Sequence, residues 1–228
     1  MWFNITSILG LLLSIFMITR LLKSKQGDNL LTILAIILLA IKTLEYMYMN
    51  ITTGFTYPIE ISQITYFLFC IVVLFRIKKL YHVAAFFGII SGIGFFLYYS
   101  TLGYISAFYH ENMRHYIAVI AHGILLIGGV YLLVKNDFRK TNKLDLLLAM
   151  VAILAHASIF YTDAIKGTTF VYFLIKPEFL KVSSSDALNH LLMIAYYFTA
   201  FSIYSACINK FYKLNEKYIS NKHNLAIT

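Results

Sequence analysis

The chain has 228 residues, of which 60% are hydrophobic and only 13% charged, with a mean hydropathy of +0.75. A soluble domain carries about a quarter charged residues, so this composition excludes an ordinary soluble fold and points to an all-α membrane protein. The formal charge of +9 would suggest nucleic acid in a soluble chain, but no nucleic-acid motif and no interleaved basic and aromatic surface accompanies it.

A hydrocarbon core about 30 Å thick needs about 20 apolar residues at about 1.5 Å each. The first run to meet that test is 3–22. Its opening, MWFNITSILG, lacks the basic start of a secretory signal, so it is expected to be a retained helix. The second, 29–51, carries Lys42 and Glu45 within AIKTLEYM. The third, 58–75, begins YPIEISQITYFLF and holds Glu60, Ser62 and Gln63. The fourth, 80–101, ends in Tyr98 and Tyr99, and with Tyr104 these are expected in an interfacial aromatic belt. The fifth, 113–134, contains IAVIAHGILLIGGVYLLV, with His122 inside it and His115 near its start. The sixth, 144–165, contains LAHASIFYTDAI, with His156 and Asp163. The loop GTTFVYFLIKPEF (167–179) is too short and interrupted to span, and is expected to lie at the interface or dip into the bundle. The seventh run, 187–208, starts with Asn189 and His190, and a polar, basic, frayed tail follows. The runs are continuously apolar rather than alternating, which excludes a β-barrel.

The expected architecture is a seven-transmembrane helical bundle over residues 1–208 and a short basic cytoplasmic tail over 209–228. Orientation follows from Lys and Arg between the runs. One side collects Arg20, Lys23, Lys25, Arg76, Lys78, Lys79, Lys135, Arg139, Lys140, Lys143, Lys210, Lys213, Lys217 and Lys222. The other has Arg114, Lys166, Lys176 and Lys181. The N-terminus is therefore expected outside and the C-terminus in the cytoplasm, in a multi-pass protein of the cell membrane. Membrane lipids are the expected partners, and the oligomeric state is not legible.

His122 lies nine residues in from the outer end of its run, about 13 Å deep. Lys42 and His156 lie equally far in from the outer ends of theirs. Above them come Glu45, Glu60, Gln63, His115, Asp163, Asn189 and His190. His115 and His122 are seven apart and share a helix face, as do His156 and Asp163. Lys42 and Glu45, at i and i+3, could neutralise one another. Hydrocarbon does not host such groups singly, so a polar cavity opening outward is expected. The blander readings are that a single buried His bonds one helix to the next, and that Lys42–Glu45 is a structural pair. His82, His110 and His223 fall in loops or at the interface and are expected to be solvated.

Retinal photochemistry needs a Lys deep in the last helix, and LLMIAYYFTAFSIYSACI has none. Zinc could use His115, His122, His156, Asp163 and His190, but no HExxH or HxxxH spacing supports it, so neither metal nor cofactor is expected. Two cysteines, Cys70 and Cys207, make neither a disulfide framework nor a Cys-based zinc site. Acyl transfer through a Ser nucleophile needs a nearby base, and Ser62 stands at a suitable height for His122 or His115.

YPIEISQITYFL, IAHGILLIGGVYLLV and DAIKGTTFVYFLIKPEF resemble, in order and spacing, segments of the bacterial YwaF-like integral membrane proteins. The resemblance covers about residues 30 to 208. That family in turn is similar to animal transmembrane acyltransferases that remodel phospholipids. It implies a helical bundle with a nucleophile near the start of one helix and a histidine, here His122, on another. Where the family has His, Cys and Asp in the third helix, this chain has Glu60, Ser62 and Gln63. The implied nucleophile is thus Ser62, intrinsically weaker than a thiol. Glu60 and Ser62 point about 200° apart on a regular helix, so both cannot face one cavity without distortion. Asp163 stands where the family more often has an amide.

Two functions follow as expectations. One is lipid acyl transfer or ester hydrolysis, with His122 as base, Ser62 as nucleophile, and His156 or Lys42 stabilising negative charge. Glu45, Glu60, Gln63, His115, Asp163 and His190, with Lys42, would then bind substrate. The other is binding or transport of a small polar or anionic solute without covalent chemistry. A scaffold whose polar residues only hold helices together is the third alternative.

Overall fold

A computed structural model describes residues 2–53, 61–101, 112–138, 142–159 and 186–225. All regular structure there is helical. The helices are α1 (Trp2–Lys23), α2 (Gly27–Thr53), α3 (Ile61–Leu74), α4 (Tyr81–Thr101), α5 (Asn112–Lys135), α6 (Lys143–Ile159) and α7 (Asp186–Leu225), with a 3-10 turn at Lys78–Leu80. Four stretches are long and apolar enough to cross a membrane: Phe3–Lys23, Gly27–Thr52, Lys78–Thr101 and Met113–Lys135. Their faces away from the protein interior carry large apolar side chains, such as Leu9, Leu12, Leu13 and Phe16 on α1 and Ile33, Ile36 and Leu44 on α2. Water would not tolerate so much contiguous apolar surface, whereas lipid does. As described, α3 and α6 are shorter, and the expected flap at 167–179 lies outside the described residues.

The chain divides into two compact units. The first holds α1, α2, α3 from Ser62 onward, α4 and α5. In it α1 and α5 run side by side in the same direction: Thr6 meets His115, the space over Gly10 is taken by Val119, and Ser14 lies over Gly123. Helix α4 runs the opposite way, its end tied to the start of α1 by the Asn4 amide donating to the Ser100 carbonyl at 3.1 Å. Helix α2 also opposes α5. The Tyr131 hydroxyl near the end of α5 donates to the Asp28 carboxylate in the first turn of α2 at 2.7 Å. Asp28 suits that position because its charge complements the helix N-terminus. Helix α3 lies against α2, where the Cys70 thiol donates to the Ala35 carbonyl at 3.2 Å, and against α5, where Phe69 fills the space over Gly128.

Successive helices of this unit therefore alternate in direction. Arg20, Lys23, Lys25, Arg76, Lys78, Lys79 and Lys135 all fall at the end where α1, α3 and α5 finish. The stop of α3 is specific. Arg76 adopts φ 52°, and the Ile77 amide reaches back to the Val72 carbonyl at 3.0 Å, a left-handed C-terminal cap of the kind glycine usually fills.

Helices α4 and α5 approach one another closely. A Cβ at Gly88 would lie 2.8 Å from the Leu125 carbonyl, and one at Gly129 would lie 2.9 Å from the Ala85 carbonyl. Only glycine lets the two backbones come this near, the arrangement by which helices pack in lipid. His82, expected to be solvated, is instead 1% exposed. The reason is that α4 starts at Tyr81 and its buried run begins one residue later.

The second unit holds Phe138, α6 and α7. Residues 209–225, expected as a frayed tail, continue α7 as helix, giving it 40 residues and a length of about 60 Å. Ile208, Phe211, Tyr212, Asn215 and Ile219 are buried and recur at helical spacing, so they form one covered face. Asn215 accepts the Phe138 backbone N–H at 3.0 Å, and Phe138 stacks on Phe211 with centroids 6.0 Å apart. Burial, and secondarily the Asp145 carboxylate, push the Tyr212 phenol up to about 12. The hydrophobic period of this segment overrides the fraying expected from its charge.

Candidate functional site

Within the first unit, α2, α3 and α5 bring Lys42, Glu45, Tyr66 and His122 into one cluster, and α4 adds Phe95. The tyrosine is 3% exposed and Lys42 and His122 are each 5% exposed. The Tyr66 oxygen lies 2.9 Å from His122 Nε2 and 3.0 Å from Nδ1, while Nδ1 lies 2.8 Å from the Ala118 carbonyl one turn back on α5. A carbonyl can only accept, so Nδ1 carries the proton and donates to Ala118. That tautomer leaves Nε2 without a proton, and the Tyr66 oxygen, nearly equidistant from both nitrogens with the two rings at 79°, lies over the imidazole face. The assignment rests on the hydrogen-bond pattern, as it must where hydrogens are inferred.

On its other side, the Tyr66 ring carries the Lys42 ammonium 4.2 Å from its centroid. Lys42 is also paired with Glu45, Nζ to Oε2 2.6 Å, across one turn of α2. The pair settles the charge of both residues inside the protein, as their i, i+3 spacing suggests. The His122 ring is held in plane by Phe95 of α4, stacked at 4.0 Å and 10°. The His122 backbone is clamped as well, since a Cβ at Gly92 would lie 2.9 Å from its carbonyl. Imidazole and main chain are thus both fixed.

His115, two turns away on the same face of α5, has a different setting. Its Nε2 is 2.8 Å from the Thr6 hydroxyl of α1, and its ring packs among Phe3, Tyr99 and Phe95. Tyr99 is drawn inward by these contacts, while Tyr98 is exposed.

Of the residues singled out in the sequence, Lys42, Glu45 and His122 come together through Tyr66. Ser62 and Gln63 lie partly buried in the first turn of α3. Ser62 is four residues before Tyr66, hence on the same face of α3 and about 6 Å away. His156 lies on α6 and His190 on α7, with side chains outside the described residues. Glu60 and Asp163 are outside them altogether. Among the described residues no group of three His, Cys, Asp or Glu could hold a metal ion.

The residue missed in the sequence is Tyr66. Its signal was its place in the middle of an apolar run, where a phenolic hydroxyl must find a partner. Phe95 gave no signal, because stacking on an imidazole depends on which helices become neighbours. The fold and cluster together define a helical membrane protein with a buried Tyr–His pair beside a part-buried Lys–Glu pair. Comparison with protein-family models, with curated proteins and with solved structures returns no match.

Proposed function

We propose that this is a multi-pass membrane enzyme that moves or hydrolyses an acyl group on a lipid, with His122 as its base. The observation that supports this reading most is the anchoring of His122. Nδ1–H is tied to the Ala118 carbonyl, so the remaining nitrogen, Nε2, is the one that accepts a proton. A base needs that fixed tautomer and orientation. The resemblance of the helix-three and helix-five segments to the YwaF-like proteins supports the same reading, with Ser62 as nucleophile. It also carries the seven-span topology and the external N-terminus, which the grouping of basic residues at one end of the first unit favours.

The test uses the purified full-length protein in nanodiscs of phospholipids with defined acyl chains, products being followed by mass spectrometry. Wild type should release fatty acid or exchange chains between lipids. His122→Ala should lower turnover by about 100-fold or more. Equal turnover in that variant removes the base.

One observation favours a second reading. Lys42 and Glu45 neutralise one another in the buried cluster, as the groups of a solute site do between loads. A small anion would then displace the carboxylate from the ammonium. A compact anion retained by wild type and lost in Lys42→Met, with no lipid product, decides for binding or transport.

A further inference from the structure

We propose that the turn between α3 and α4, from Phe75 to Lys79, is a docking site for the phosphate of an anionic phospholipid. The lipid is held there and not converted, so the inference goes beyond the acyl-transfer reading and does not depend on it. The turn is a fixed frame. The Arg76 amide donates to the Val73 carbonyl at 3.2 Å and the Ile77 amide to the Val72 carbonyl at 3.0 Å, the paired bonds of a left-handed helix end. The Lys78 amide then donates to the Arg76 carbonyl at 2.8 Å around Ile77, whose φ of −76° and ψ of 77° make an inverse γ-turn. With these amides spent inside the turn, recognition of an anion falls to the side chains. Leu74, Ile77 and Leu80, three residues apart, are partly buried, while Phe75, Arg76, Lys78 and Lys79 are exposed.

Three observations identify the occupant. Arg76, at φ 52°, stands where glycine is the ordinary choice. A left-handed backbone strains an arginine, which points to a use for its guanidinium, a fork that meets phosphate through two parallel hydrogen bonds. Next, Arg76, Lys78 and Lys79 form no ion pair among the described residues. Asp28, whose charge reaches the Tyr81 phenol together with that of Arg76, is bonded by the Tyr131 hydroxyl instead. Finally, Phe75 is 74% exposed directly beside these cations, at the end of an apolar helix. A free phosphate gives a phenyl ring nothing to pack on, whereas the boundary between headgroups and acyl chains receives it. Basic residues at one end of a bundle also set topology, and a cation suits the end of α3. Neither of those roles requires arginine at the left-handed position itself.

The test titrates purified full-length protein in mixed micelles with dioleoyl phosphatidylglycerol or dioleoyl phosphatidylcholine. Bound lipid is counted by native mass spectrometry, and thermal unfolding is followed in parallel. Wild type should retain phosphatidylglycerol over phosphatidylcholine. One cation near a lipid surface contributes about fivefold in affinity, so Lys78→Gln with Lys79→Gln should weaken phosphatidylglycerol about 25-fold. Binding of phosphatidylcholine should not change. Arg76→Gly should weaken phosphatidylglycerol about fivefold and melt at or above wild type, because glycine relieves the left-handed strain. Arg76→Lys keeps the charge and should recover most of the binding. If Arg76→Gly melts lower and binds as wild type does, the arginine serves only the end of α3 and the proposal falls. Lys213→Gln with Lys217→Gln on α7 removes the same charge elsewhere and should leave retention unchanged. An equal loss there would mean that net charge alone is felt, and would overturn the site. Displacement of the lipid by inorganic phosphate at matched ionic strength would make the occupant a free anion and overturn the lipid assignment. Equal retention of the two lipids by wild type overturns the proposal outright. No arm measures lipid conversion, so each outcome stands whether or not turnover occurs.

Discussion

Helix α5 has two very different flanks. Toward α4 it presents Gly129 and bare backbone to Gly88 and Gly92, and the two main chains come within reach of one another. Toward α2 and α3 it presents an imidazole to a phenol, and beyond the phenol lies an ion pair. Helices in lipid have no water to drive them together, and associate through close packing and interhelical hydrogen bonds. The first unit uses one device on each side of the same helix. The glycine flank holds α5 still, and the polar flank carries the groups that need holding. His122 belongs to both, its carbonyl against Gly92 and its ring against Tyr66 and Phe95.

The largest effect should come from the polar flank. Removing one partner of a buried ion pair leaves a charge uncompensated, so Glu45→Leu should cost about 3 kcal/mol. Replacing both, Lys42→Met with Glu45→Leu, should return stability to near wild type, because the desolvation penalty goes with the charges. Equilibrium unfolding in mixed micelles measures both. A single variant as stable as wild type would break the contrast, since the pair would then be solvated. The glycine flank should respond next. At Gly92 a Cβ would lie 2.7 Å from that of Leu126, so Gly92→Leu should cost about 2 kcal/mol by overpacking. Gly94, two residues along, has nothing within 4 Å of an added Cβ, and Gly94→Leu should not lower stability, since leucine is the better helix former by up to about 1 kcal/mol. Equal losses at the two positions would mean that the seam does not set the cost, because the propensity change favours leucine at both.

What was legible in the sequence follows from which rules are local. Apolar run length located α1, α2, α4 and α5, and the spacing of Lys42 and Glu45 showed their pairing. The i, i+7 relation placed His115 and His122 on one face, but not what either would touch. Depth counting aligned Lys42 with His122 and yet missed Tyr66, the residue lying between them, because an aromatic in an apolar run reads as packing. Gly88-Ile-Ile-Ser-Gly92 and the Gly128–Gly129 pair are visible as small-residue spacings, but spacing alone does not say which helix they face. The helical continuation of α7 past residue 208 was obscured by charge. Its buried positions, Phe211, Asn215 and Ile219, recur at every fourth residue all the same.

Phe95 connects the two flanks, since it rises from α4 and stacks on His122. Phe95→Leu should cost about 1 kcal/mol, the stacking contribution beyond burial. It should also broaden the imidazole nitrogen signals of His122 in NMR of histidine-labelled protein, because the ring loses the surface that fixes its plane. Sharp, unshifted signals would mean that the remaining contacts alone orient the imidazole.

The smallest effect separates the two histidines of α5. His115 bonds to Thr6 on α1 and is packed by Phe3, Phe95 and Tyr99. Removing the threonine hydroxyl, in Thr6→Val, deletes one interhelical hydrogen bond in the membrane, worth about 0.6 kcal/mol. Lipid turnover should stay unchanged, and the His122 resonances should stay where they are. If instead Thr6→Val lowers turnover as His122→Ala does, the line between holding and acting has been drawn in the wrong place. His115 would then belong with the groups that handle protons, and the polar flank would run the full length of the α5 face from Thr6 to Glu45.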